Sequence, residues 1–559
     1  MKTSPFRTLL WLGSALAATA SVSLFAQEQD ASAKPPRLVV GIVVDQMRYD
    51  YLTRFQGALG EGGFKRLMRE GTQFRSMHYN YAPTGTGPGH AAIWSGAYPA
   101  TSGISNNDFY DHQLGHEVYC VEDASVTPVG TDAEEGRRSP HRLLVTTVGD
   151  ELKLATNNRA KVLAISLKDR ASVLPGGHFA DAAFWFDATT GRFVSSSHYL
   201  EELPYWVSDY NGSGRADALM HKPWVLRDEA ATYTESLPDD NPFEEPFKGT
   251  AAPVFPHDLS AVTPDPREPF KPLATSPWGN VMVRELAQAA LEHTDIGRDD
   301  TPDVLAVSFS ATDYIGHRFS PTSLEVEDTY RRLDDDLAAL LETIDATVGL
   351  EHTVVFLTSD HGVSFNSSFL RSRGMASART LDKGAFLSGI NAALAEHYSA
   401  VDTSTWVAEL YKGQIVLDRR AIRVAGYDLE EVSEVLRDRL LEMDGVVDAM
   451  TAAELREGAL QSGYRALLRR GAHRTRSGDV FAVFAPGSVF GYAHGGAGHS
   501  EPFSYDTHAP FLIAGPGIAA GAEVYERVAI TQIAPTISAL LKINEPAGAF
   551  EGPLPLFEP

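Results

Sequence analysis

Three aspartates and two histidines stand at matching places in this chain, each just beyond a short apolar run. Asp45 follows Leu38–Val44. Asp313 and His317 follow residues 304–309, in Asp313-Tyr314-Ile315-Gly316-His317. Asp360 and His361 follow residues 353–357. In an open α/β sheet the carboxyl ends of the strands meet at the ligand crevice, so these five side chains are expected to cluster. Oxygen and nitrogen ligands without thiolate suit Zn²⁺ in a hydrolytic site that keeps a position open for substrate. Asp45, Asp360 and His361 make one three-ligand set. Asp313 and His317 make two thirds of another, which needs one more histidine.

A second chemical feature is the turn Pro83-Thr84-Gly85-Thr86-Gly87-Pro88-Gly89-His90, running into Ala91-Ala92-Ile93-Trp94. The pattern predicts a helix beginning near Thr86, where free amides and the helix dipole favour an anion. A threonine hydroxyl is a weak nucleophile until a base or a metal activates it; a threonine before Gly-Pro also serves well as a helix cap. Lys168-Asp169-Arg170 follows the apolar run 162–167. Lys168 as a point charge and Arg170 as a planar fork could meet a phosphate beyond the sheet edge, or the triplet is a solvated charged turn. Asn107, in Gly103-Ile104-Ser105-Asn106-Asn107, offers an amide donor to a phosphate oxygen, or an Asx turn.

The elements that must position these residues are legible as alternation. The runs 38–44, 162–167, 304–309 and 353–357 read as buried parallel strands, and 280–292, 323–344 and 429–442 as helices, with a closing amphipathic helix at 530–541. Such alternation predicts an α/β fold, a doubly wound and mostly parallel sheet flanked by helices. Two stretches rich in Pro, Gly and polar residues, about 171–278 and 363–500, are expected as insertions capping the sheet edge. The chain has 559 residues, 43% of them hydrophobic, enough for a large core.

Lys2 and Arg7 followed by the uncharged, mostly apolar residues 9–25 read as a secretory signal peptide, with cleavage after Ala20 or Ala26. The product is expected in the periplasm or outside the cell, without a membrane segment. The single cysteine, Cys120, excludes an intrachain disulfide and a cysteine-based zinc site. The net charge of −25 argues against nucleic acid as a partner and requires a locally positive site for any anionic substrate.

Taken together, these motifs resemble the PafA-type bacterial alkaline phosphatases, a branch of the alkaline phosphatase superfamily. The resemblance runs from Val40-Gly41-Ile42-Val43-Val44-Asp45-Gln46-Met47-Arg48-Tyr49-Asp50 through the Thr86 turn, Ser166-Leu167-Lys168-Asp169-Arg170, Asp313–His317 and Ser359-Asp360-His361-Gly362. It ends at Thr531-Gln532-Ile533-Ala534-Pro535-Thr536. It implies a single catalytic domain over 27–559 and two Zn²⁺ per chain. Asp45, Asp360 and His361 would hold one ion, and Asp313, His317 and a late histidine the other. It implies Thr86 as nucleophile, forming a phosphothreonine, and Asn107, Lys168 and Arg170 as phosphoryl ligands. The family pattern places the late histidine six residues before the Tyr of Tyr505-Asp506-Thr507-His508, which selects His499; His494, before a glycine, resembles the ligand of related phosphodiesterases. No magnesium is implied, since a lysine stands near where other branches hold a third metal. The expected substrates are small phosphate monoesters, with diesterase or nucleotide pyrophosphatase activity as the alternative and a non-catalytic phosphate- or metal-binding protein as a remote one. A sulfatase is disfavoured because threonine cannot be oxidised to formylglycine.

Overall fold

The computed structural model describes residues 35–399, 406–457, 462–492 and 495–556. The expected signal peptide therefore lies outside the described residues, as does His494. From Pro36 onward the chain forms one unit.

Its centre is an eleven-stranded mixed sheet. Five neighbouring strands are mutually parallel, in the order Thr353–Thr358, Leu38–Val44, Asp303–Phe309, Val162–Ser166, Ala182–Asp187. His508–Ala514 pairs antiparallel with Thr353–Thr358 on one side, and Arg192–Ser196 pairs antiparallel with Ala182–Asp187 on the other. The central strands are continuous apolar runs because both faces are covered. On Leu38–Val44, residues 38, 40, 42 and 44 enter one core, beneath Pro277–His293 and Leu324–Thr347. Val39 and Val43 enter the other, beneath Thr86–Ser95 and Ile533–Leu541. The fold is thus the expected α/β sandwich, and the four strands that carry chemistry end level: Val43 lies opposite both Ser308 and Thr358, and Ser166 opposite Ser308.

The two Pro- and Gly-rich stretches differ in kind. Within 171–278, Ala182–Asp187 and Arg192–Ser196 are strands of the main sheet, so this part is not a cap. Ala182–Asp187 and Phe193 to Ser196 are buried within the sheet, which overrides the polar composition around them. The stretch 363–500 carries a separate four-stranded antiparallel sheet, in the order Val407–Tyr411, Gln414–Leu417, Val480–Phe484, Val446–Thr451. Helix Leu429–Leu441 covers it with Val432, Leu436 and Leu440 at four-residue spacing, capped by the Asp428 carboxylate.

Candidate active site

Each strand end delivers one piece of the site. The strand Leu38–Val44 stops at Asp45. The strand Thr353–Thr358 runs into Ser359, Asp360 and His361, all fully buried. The strand Asp303–Phe309 leads into helix Ala311–Phe319, where Asp313 and His317 share one face at i, i+4. The result is two trios whose ligand atoms lie within 4.8 Å of one another: Asp45, Asp360, His361, and Asp313, His317, His499.

The donor set of the first trio fits a metal ion. Asp45 Oδ1, Asp360 Oδ2 and His361 Nε2 are buried and have no hydrogen-bond partner among the described residues. His361 Nε2 is 3.5 Å from Asp45 Oδ1 and 3.6 Å from Asp360 Oδ2. Tetrahedral zinc with ligands at about 2.0–2.2 Å needs ligand atoms about 3.3–3.6 Å apart. The second atom of each ligand is tied down. Asp45 Oδ2 accepts from Lys168 Nζ at 2.7 Å, Asp360 Oδ1 from the Gln46 amide at 3.1 Å, and His361 Nδ1 lies 2.9 Å from the Gly362 carbonyl. Donation to that carbonyl leaves Nε2 as the bare lone pair, the tautomer a metal requires.

The second trio differs in that both oxygens of Asp313 carry hydrogen bonds. His317 Nδ1 lies 2.7 Å from the Ala497 carbonyl, with Nε2 3.2 Å from Asp313 Oδ1. Asp313 Oδ2 accepts from Lys168 Nζ at 2.5 Å and Oδ1 from Gln46 Nε2 at 2.6 Å. His499 Nε2 is 3.9 Å from Asp313 Oδ1, and its ring stacks on His361 at 3.7 Å between centroids, joining the trios.

Electrostatics follow from burial. Asp45 is raised well above the aspartate range, by burial first and then by Asp360; burial also lifts Asp360, to about 6. Burial lowers His361 to about 4 and, with the charges of His361 and Lys412, depresses His499 strongly. Burial opposes both the Lys168 ammonium and the Asp313 carboxylate. The attraction of Asp313 and Asp45 nevertheless holds Lys168 charged, and His317 and Lys168 hold Asp313 ionised. Such opposed shifts at one crevice mark a functional site more often than a structural one.

Thr86 is joined to both trios through Lys168. It is the first residue of helix Thr86–Ser95, with Gly85 as N-cap, and its hydroxyl makes no capping bond. Thr86 Oγ1 is 3.3 Å from Lys168 Nζ and 3.5 Å from Arg170 Nη2. Lys168 is buried rather than part of a solvated turn. Arg170 opens helix Arg170–Gly176 and is steadied by the Tyr119 hydroxyl, 3.0 Å from Nη1. Asn107 Oδ1 accepts from the Gly87 amide at 2.8 Å, which reserves its NH₂ for another partner. Gly89 lets this helix lie on the Asp360 backbone: a Cβ there would sit 2.3 Å from the Asp360 carbonyl oxygen.

Three supporting residues are not read from the sequence. Gln46 takes the left-handed φ of 65° and reaches both trios. His90 lies within 2.9 Å of both the Thr86 carbonyl and Ser308 Oγ. The Tyr492 hydroxyl lies 2.7 Å from His317 Nδ1. The only signal for Gln46 is adjacency to Asp45; the His90–Ser308 and Tyr492–His317 contacts act across long sequence separations.

Sheet and crevice together define an α/β protein with two candidate metal sites at the carboxyl ends of its parallel strands. Residues 39–510 match the type I phosphodiesterase / nucleotide pyrophosphatase family. The chain is 39% identical over 533 residues to alkaline phosphatase PhoV of Synechococcus elongatus, covering 94% of this chain and 95% of that one. It is 38% identical over 528 residues to alkaline phosphatase PafA of Elizabethkingia meningoseptica, with 94% and 95% covered. The fold matches the crystal structure of wild-type PafA with a TM-score of 0.88 at 38% identity, over 94% of this chain and 99% of that one. The chain belongs to the type I phosphodiesterase / nucleotide pyrophosphatase family, in its branch of PafA-type alkaline phosphatases, which are phosphoric monoester hydrolases.

Proposed function

We propose that this protein is an exported, zinc-dependent phosphatase that cleaves phosphate monoesters through a phosphothreonine at Thr86. The observation that carries this is a threonine hydroxyl within 3.5 Å of two cationic side chains, one of which, Lys168, is bonded to an acid from each ligand trio. Asp45, Asp360 and His361 would hold one zinc ion, and Asp313, His317 and His499 the other. When bound, the two ions would supply Lewis-acid charge and a lowered hydroxyl pKa at neutral pH.

The chain's own residues do the rest. Thr86 Oγ1 attacks phosphorus as the bond to the ester oxygen breaks, and the alcohol leaves with a proton. Water then attacks the phosphothreonine, releasing inorganic phosphate and restoring the hydroxyl. Lys168 is fixed by Asp45 and Asp313 at the point where charge accumulates, so little reorganisation is needed. Arg170 and the Asn107 NH₂ donate to phosphoryl oxygens. A monoester brings one more anionic oxygen to these donors than a diester does. Each charge-assisted hydrogen bond contributes about 1.5–3 kcal/mol, or on the order of 10–100-fold in preference. Export rests on the leader at residues 1–26; no helix among the described residues is long and apolar enough to cross a membrane.

The test is the ratio of kcat/KM for a monoester and a diester sharing one leaving group, on zinc-loaded protein. A ratio well above one, abolished by Thr86→Ala, is expected. A ratio below one would make the enzyme a diesterase.

A further inference from the structure

The small antiparallel sheet reaches back to the site through one tight hairpin. Val407–Tyr411 and Gln414–Leu417 are joined by Lys412 and Gly413, with φ of 48° and 82°. Asn-Gly or Asp-Gly meets such a turn most easily, so a lysine in the left-handed region calls for a reason. Tyr411 anchors the hairpin by donating its hydroxyl to Glu117 at 2.5 Å. Beside it opens a cavity of about 240 Å³ whose wall runs from Asn107 and Asp108 to Tyr411, Lys412, Lys383 and Phe490. Asn107 therefore borders both this cavity and the phosphoryl cradle.

The two lysines on the wall differ. Lys383 Nζ is committed to Glu409 at 2.6 Å. Lys412 is exposed and makes no ion pair within 4.0 Å among the described residues. Packing around Lys412 lowers its ammonium below the usual lysine range, against the attraction of Glu501, Asp506 and Asp313, and its charge reaches His499. The cavity wall joins Lys412 to Asn107, whose Oδ1 holds the Gly87 amide next to Thr86. In-line displacement expels the leaving group away from the nucleophile, and the cavity adjoining the phosphoryl cradle at Asn107 lies next to that path in our proposal.

Building on the phosphatase assignment above, we infer that this cavity is a leaving-group subsite in which Lys412 selects phosphate monoesters whose leaving group carries an anionic substituent. Tyr411 and Phe490 provide aromatic walls for the body of the leaving group. On a chain of net charge −25, an uncommitted cation at the mouth is what draws such a substituent in. Asp108 repels an anion from its own part of the wall, which confines the substituent to the Lys412 side.

The experiment uses zinc-loaded full-length mature protein and two aryl phosphate monoesters matched in leaving-group acidity, one bearing a ring carboxylate and one uncharged. The wild type should favour the carboxylate ester. Lys412→Gln should lower kcat/KM on that ester about tenfold and on the uncharged one less than twofold, with Lys412→Arg restoring the preference. The preference should also shrink with added salt. Equal losses on both esters, or no loss on either, would overturn the subsite while leaving the phosphatase assignment standing. A wild type that hydrolyses neither would overturn both.

Discussion

Lys168 Nζ lies 3.3 Å from Thr86 Oγ1 while its other contacts go to the carboxylates of Asp45 and Asp313. A full positive charge is thereby held beside the hydroxyl by one acid from each trio. Any phosphoryl group joined to Thr86 must share that charge with Arg170. Replacing Lys168 and Arg170 together with alanine should cut kcat/KM for a monoester at least 100-fold and for a diester roughly tenfold or less, because the lost donors serve the extra anionic oxygen. Steady-state kinetics on matched esters checks this; equal losses would contradict the roles.

The two trios make separable demands on metal. Chelation should abolish turnover, and zinc should restore it at two ions per chain. Asp360→Asn should reduce bound zinc from about two to about one per chain, and His317→Ala should do the same through the other trio. Elemental analysis after dialysis reads the stoichiometry directly.

Gln46 joins both trios by its amide N–H to Asp360 and its side chain to Asp313. Partners that orient metal ligands typically account for 10–100-fold in affinity. Gln46→Ala should therefore weaken zinc at the Asp313 trio by about that factor in a competition titration, with little effect on melting temperature in the metal-free form.

The pH dependence has a definite sign. Without metal, burial raises Asp360 to about 6, so its stabilising contribution is present at low pH and lost as pH rises through 6. Metal demands the ionised carboxylate and reverses this preference, while His361, lowered to about 4, is already neutral there. The gain in melting temperature on adding zinc should therefore grow between pH 5 and pH 7, by up to about 1.4 kcal/mol of stabilisation per unit. Calorimetry of paired metal-free and loaded samples measures it; a pH-independent gain would contradict the assignment of Asp360.

Gly89 is a packing requirement. A methyl group there meets the Asp360 carbonyl oxygen at 2.3 Å, and backbone on both sides cannot give way cheaply. Gly89→Ala should cost about 1–3 kcal/mol of stability, measurable by denaturant unfolding, and should lower activity by displacing Thr86 from the trios.

Much of this site was legible because it obeys a rule of sheets: Asp45, Asp313 and Asp360 each follow an apolar run, and carboxyl ends of parallel strands converge. The i, i+4 spacing of Asp313 and His317 survives unchanged on a real helix. His499 was reached only through family spacing, since it comes from a segment between strands with no periodic signal of its own. Gln46 was hidden because its role depends on a positive φ, and Tyr492 and Lys412 because theirs depend on how the small sheet docks. Residues 182–196 were misread because a strand pair buried at a sheet flank sits inside a polar stretch, where tertiary burial outweighs local composition.

The most direct measurement is acid quench of the zinc-loaded enzyme during turnover of a labelled phosphate monoester, followed by peptide mapping. Label recovered on the peptide containing residues 83–90, localised to Thr86 and absent from Thr86→Ala, is the expected result. Label on any other side chain, or none under burst conditions with an active enzyme, would contradict the covalent scheme.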